Sequence, residues 1–206
     1  MAVATPKQAI KFAQSLIQRG MPTARSADDS VEEKERFARQ VYEYVTRRCC
    51  EAPFMTLEKS TETSRTWSQQ KIRVAEAIGK FLPPDVYDDL KKRANLNDVQ
   101  SVMDLHTFKD FSSNIFSHEL SDDKRLVDLI FMDEPGPTTS TLVIHYIRLT
   151  AKYSGRRALV FKDEYRQLTA EYRRIEFSAL TTVLQELERR SRSSLADKME
   201  KWIRGD

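Results

Sequence analysis

Glycine and proline are scarce, at 5 and 7 of 206 residues. A sandwich or barrel of many short strands needs frequent tight turns, and such turns draw heavily on both residues. Their scarcity argues for long elements with few connections, and the sequence reading takes those elements as helices. Cysteine is limited to the adjacent pair Cys49 and Cys50. Neighbouring cysteines bridge only with strain, so no disulfide framework is expected. The pair lacks a histidine cluster and is too small for a zinc site. A reducing, intracellular setting, cytoplasmic or nuclear, is the corresponding expectation.

No apolar run approaches the ~18 residues that mark a membrane span. Residues 1–10 lack a charged segment followed by an apolar block, so no secretory leader is expected. The glycine-rich patterns of dinucleotide and P-loop sites are missing, as are the helical His-Glu-x-x-His of zinc proteases and the Gly-x-Ser-x-Gly elbow of serine hydrolases. His106, His118 and His145 stand apart. The acidic neighbours Asp88-Asp89, Asp122-Asp123 and Asp133-Glu134 read as caps and solvated faces. The expectation is therefore no catalytic residue, no metal, no cofactor and no small-molecule substrate.

What is present is charge and apolar periodicity. Charged residues make up 32% and apolar residues 40%, enough for a core under a highly charged surface. The net charge of +3 is unevenly spread: from Leu142 onward 14 Lys and Arg face 9 Asp and Glu, against 20 and 22 before it. An anionic partner, if any, is expected at the C-terminal third.

Helix signals recur along the chain. Thr5, Pro6 and Gln8 have capping-box spacing before Ile10, Ala13 and Ile17, with Gly20 as the stop. Ser30 and Glu33 repeat the signal before Phe37, Val41, Tyr44 and Val45. Glu58–Arg65 has no apolar anchor and reads as an exposed loop. A third helix is expected from Thr66 through Trp67, Val74, Ile78 and Leu82, and a fourth from Pro84 through Val86, Leu90 and Ala94. Short helices are expected across Leu105–Glu119. Residues 126–132 and 142–153 fit a helix or a strand, and the Tyr146, Leu149, Tyr153 spacing tips the second toward a helix.

Asp133–Thr139 is the strongest breaker. It divides the chain into a helical bundle domain over 1–132, a Pro/Gly linker over 133–141, and a helical C-terminal region over 142–206 packed on the first. Beyond it Phe161, Tyr165, Leu168, Tyr172, Ile175 and Ala179 step by four and three, as in a heptad seam. This long helix serves either as core or as a self-association surface. A last helix, capped by Ser194, carries Leu195, Met199, Trp202 and Ile203 on one face and is expected to dock.

The reading is thus an all-α, multi-helix bundle with a long C-terminal helix and a short terminal docking helix. Its function is that of a non-enzymatic interaction and assembly protein, self-associating or binding a protein partner through amphipathic helices. The interface residues are Phe161, Tyr165, Leu168, Tyr172, Leu195, Met199, Trp202 and Ile203. The alternative is RNA binding of nucleocapsid or silencing-suppressor type, through Lys162, Arg166, Arg173, Arg174, Arg189, Arg190 and Arg192. A metal-dependent nuclease built from scattered carboxylates is the third reading. Arg204-Gly205-Asp206 reads as a helix stop and not as an adhesion motif.

Overall fold

The computed structural model describes residues 5–23, 29–94, 113–121, 124–136, 138–152, 164–179 and 182. Two helices lead: α1 (Pro6–Gly20) and α2 (Val31–Glu43). Both start as their sequences require. Gln8 N donates to the Thr5 hydroxyl at 3.3 Å while Thr5 N donates to the Gln8 side chain at 2.7 Å. Ser30 and Glu33 make the same reciprocal pair, at 2.9 and 3.3 Å. After α2 the backbone widens into a π-helical turn over Tyr44–Arg48 and tightens into a 3-10 turn over Cys49–Glu51. The wide turn seats Tyr44, whose buried hydroxyl donates to the Ile17 carbonyl at 2.6 Å and ties α2 to α1.

The chain then turns extended. Strand β1 (Met55–Arg73) leads into helices α3 (Val74–Phe81) and α4 (Pro84–Ala94). Strands β2 (Ser113–Ser121), β3 (Lys124–Met132), β4 (Thr141–Lys152) and β5 (Glu164–Ala179) follow. Among the described residues, these five strands form one sheet in the order β1-β5-β4-β3-β2, with every neighbouring pair antiparallel. The all-α bundle is therefore incorrect: the protein is a mixed fold with an antiparallel sheet covered by helices on both faces. The Asp133–Thr139 breaker lies in the connection from β3 to β4, two paired neighbours of that sheet.

The heptad reading of the C-terminal region fails for a physical reason. In a strand, a step of four residues returns to the same face and a step of three crosses to the other. Leu168, Ala170 and Tyr172 pack with α3 and α4, whereas Ile175 and Phe177 pack with α1 and α2. A strand that buries one face up to Tyr172 and the other from Ile175 thus mimics a four-three helical pattern. Strand β4 is buried on both faces. Its β-branched Val143, Ile144, Ile147 and Thr150 suit a pleated strand, and Leu142–Ile147 are buried without a break. The scarcity of glycine and proline fits long strands as well as long helices.

Two cores result. On one face Ile10, Ile17 and Val41 of the helices meet Ile130, Ile144, Tyr146 and Phe177. On the other Ile78, Val86 and Leu90 meet Leu129, Phe131, Ile147 and Leu168. The expected helix from Thr66 begins instead at Val74, with Trp67 and Ile72 in β1. Glu58–Arg65 is exposed as expected, but it is a strand and not a loop.

Candidate functional site

Strand β1 forms one edge of the sheet, paired with β5 on one side only. Nineteen residues make it far longer than the five or six typical of strands. Residues 56–66 are exposed throughout, and among the described residues no helix lies over either face. The outward backbone N–H and C=O groups of such an edge are open to a further strand.

Side chains on the inner side hold β1 straight along β5. The Ser178 hydroxyl donates to Glu58 Oε1 at 2.5 Å, Arg173 Nη2 pairs with Glu62 Oε2 at 2.8 Å, and the Thr66 and Thr169 hydroxyls meet at 3.0 Å. Trp67 packs edge-on to Phe81 of α3 at 5.8 Å, and the Arg65 guanidinium lies 5.3 Å over the Trp67 ring. After a register irregularity between Leu57 and Lys59, the pleat sorts the charges. Ser60, Glu62, Ser64 and Thr66 share the α1/α2 face, while Lys59, Thr61, Thr63, Arg65 and Trp67 share the α3/α4 face.

Two buried polar groupings lie behind this edge. Beneath α2, Asp128 is wholly buried and receives Arg148 Nε at 2.7 Å, Arg148 Nη2 at 3.0 Å and the Tyr146 hydroxyl at 2.8 Å. Arg148 also donates to the Ala38 carbonyl at 2.7 Å. Tyr42 of α2 lies between the Arg148 and Arg173 guanidinium groups, 5.0 and 5.2 Å from its ring, and its hydroxyl accepts from Arg173 at 2.6 Å. Burial, with the adjacent Asp128 carboxylate, pushes the Tyr146 hydroxyl well above the ordinary phenol range. These contacts clamp α2 to the sheet.

Beneath α4, His145 bridges Asp133 Oδ1 at 2.8 Å and the Tyr172 hydroxyl at 2.9 Å, with its ring stacked on Phe131 at 4.8 Å. The order Asp–His–Tyr resembles a proton relay. Yet Tyr172 is only 6% exposed, and burial pushes its hydroxyl up to about 12. At neutral pH this favours the protonated hydroxyl. Burial opposes ionisation of Asp133, but the His145 hydrogen bond and the charges of His145, Arg174 and Arg93 outweigh it and hold the carboxyl below its usual range. The grouping ties the β3–β4 connection to β4 and β5. Among the described residues no group of three or more His, Cys, Asp or Glu is placed to hold a metal ion.

The residues expected to bind RNA do not make a common stripe where they are described. Arg166 and Arg174 sit on one face of β5 and Arg173 on the other, because strand neighbours alternate. Arg173 is paired with Glu62 and Arg174 with Glu176 at 2.7 Å. Lys162, Arg189, Arg190 and Arg192 lie outside the described residues. Of the expected interface, Leu168 and Tyr172 are core residues of β5, Tyr165 is a β5 position opposite Ile72, and Phe161, Leu195, Met199, Trp202 and Ile203 lie outside the described residues. The reading missed β1 itself. Its signal was a run from Thr56 to Ser68 rich in serine and threonine, with no glycine or proline.

No family model and no curated protein matches this chain. Among solved structures, it is similar to a delta-endotoxin at 12% identity, over 86% of this chain and 78% of the other, with a TM-score of 0.41. It is also similar to the activated Cyt2Ba monomer from Bacillus thuringiensis subsp. israelensis at 13% identity, over 86% and 95%, with a TM-score of 0.40. Likeness at this level is too low to transfer an activity.

Proposed function

We propose that the chain is a non-enzymatic interaction protein that accepts an extended segment of a partner along the outer edge of β1. The observation that carries this reading is the uncovered stretch 56–66 at the rim of the sheet. Edges are protected against pairing by being short, by carrying charge, proline or a bulge, or by being covered. β1 is long, contains no proline, and has two of its charges, Glu58 and Glu62, engaged with β5.

Among the described residues the helices present little apolar surface. The apolar faces of α1 and α2, and of α3 and α4, are buried against the sheet. Among the described residues only Val31 and Leu57 are large exposed apolar side chains. Affinity would come from main-chain hydrogen bonds, with alternate side chains giving specificity, as in strand addition. No helix among the described residues is long and apolar enough to cross a membrane. A reducing compartment is part of the same proposal, and the adjacent free thiols Cys49 and Cys50 support it.

The test uses a panel of proline-free synthetic peptides of about ten residues, the length of a long strand. Amide hydrogen exchange is followed with and without each peptide. Slowed exchange confined to 56–66 supports the reading. Peptides that bind elsewhere, or a panel that leaves 56–66 unchanged, count against it.

A further inference from the structure

A cleft of about 640 Å³ opens where the end of α1 meets α2 and its π turn. Small-molecule sites have volumes of roughly 300–1,000 Å³. Arg19 of α1 lines it together with Phe37, Gln40, Glu43, Tyr44 and Arg48. Tyr44 and Arg48 are the first and last residues of the π turn. Such a turn carries one residue more than a regular helix, which re-aims the side chains around it, and single π turns recur at functional sites. The Tyr44 hydroxyl is committed to the Ile17 carbonyl at 2.6 Å, so the cleft meets its ring. The two arginines that end the turn differ. The Arg47 side chain is 62% exposed and pairs with Glu43 at 3.2 Å and Glu51 at 3.5 Å. Arg48 is half-buried, yet its guanidinium has no carboxylate, carbonyl or ring partner among the described residues. A guanidinium carries five donors, and drawing it out of water without acceptors is unfavourable. Glu43 is the single acid in the lining, and its Oε1 is taken by Arg47.

We propose that this cleft binds a small organic anion, a carboxylate or phosphate on a compact apolar body, with Arg48 holding the charged head. The guanidinium fork meets two oxygens of either head group through parallel hydrogen bonds. The Gln40 amide supplies a further donor, and the Phe37 and Tyr44 rings face the apolar body. A nucleic acid is a poorer fit. It would need several free cations along a surface, and Arg47 beside the cleft is already paired twice. None of the lining residues belongs to β1, so the site stands whether or not a strand docks on that edge.

Benzoate and phenyl phosphate are the probes, with benzyl alcohol as an uncharged control of similar body. Each is titrated into the full chain up to about 10 mM, since ligands of this size bind near 1 mM at best guess of their contact, and amide and arginine side-chain NMR shifts are followed. At least one anion should shift Arg48 and the residues that line the cleft with it, and the alcohol should not. Arg48→Gln should weaken that binding about tenfold, the loss expected for a hydrogen bond to a charged group. Because Arg48 has no partner to lose, the variant should melt near the native temperature. Arg39→Gln, exposed on α2 and outside the lining, should bind as the native chain does. If Arg48→Gln does not fold, Arg48→Lys keeps the charge without the fork and should still bind several-fold more weakly. No shift with either anion, equal shifts with benzyl alcohol, or unchanged binding in the Arg48 variants overturns the proposal. Equal loss in Arg48→Gln and Arg39→Gln also overturns it, by reducing the effect to general ionic attraction.

Discussion

Arg148 closes on both oxygens of Asp128, at 2.7 and 3.0 Å, inside a layer where the carboxylate is wholly removed from solvent. The pair spans β3 and β4 as direct cross-strand neighbours, and the same guanidinium reaches the Ala38 carbonyl of α2. One ion pair thus fixes strand register and helix position together. Burial works against the charged guanidinium, but Asp128 outweighs it and raises Arg148 further above its usual value.

Removing one partner should leave an uncompensated buried charge. Arg148→Met should therefore destabilise the fold by about 3–5 kcal/mol, whereas replacing both residues with apolar ones of similar volume should cost much less. Urea unfolding of the single and double variants checks this. A double variant as unstable as the single would show that the pair contributes through its shape and not through its charge.

Acid should weaken the α4 side of the sheet. The folded Asp133 carboxyl lies below its ordinary value. A depressed carboxylate contributes stability that is present above the unfolded pKa and lost as pH falls through the folded one. The acid limb of a stability-versus-pH curve should therefore flatten in Asp133→Asn, with little change in slope near neutrality. An unchanged acid limb would remove Asp133 from the account.

The two thiols should be slow. Burial raises Cys49 far above an ordinary thiol, and burial raises Cys50 more modestly, with the nearby Arg173 opposing it. Thiolate is the reactive form, so iodoacetamide at neutral pH should label the folded chain much more slowly than the chain in urea. Rapid labelling of Cys49 in the folded chain would contradict its placement.

Proline separates the two sides of β1. Alternate residues of an antiparallel edge strand point their amides toward the neighbour or away from it. Of Ser60→Pro and Thr61→Pro, one should lose a ladder bond to β5 and destabilise the fold by about 3 kcal/mol, and the other should keep near-native stability. Only thermal melts are needed. Equal, severe loss in both would mean that the outer amides are already engaged.

Local features were legible where local chemistry decides them. The capping boxes at Thr5 and Ser30, the start at Pro84 and the breaker after Met132 all mark element ends. The sheet was not legible, because β3 and β4 are covered on both faces, β5 switches its buried face midway, and the first part of β1 is open on both. Leu168, Tyr172 and Ile175 step by four and three while serving two different cores, so their spacing imitates a helix. Thr56–Thr66 is exposed on both sides, so it shows no alternation and resembles a loop. The clamp of Tyr42 between Arg148 and Arg173 joins residues more than a hundred positions apart, a contact that only the sheet order creates.

The most direct test of the open edge is residue-resolved amide exchange over 56–66 in the isolated chain. The account predicts alternation: amides facing β5 exchange slowly, and those facing outward exchange at rates near those of an unstructured chain. On adding a proline-free peptide that binds, the outward set should slow while the inner set stays as it was. Uniform protection before any peptide is added, or fast exchange of both sets, would contradict the claim that β1 is a formed strand with a free edge.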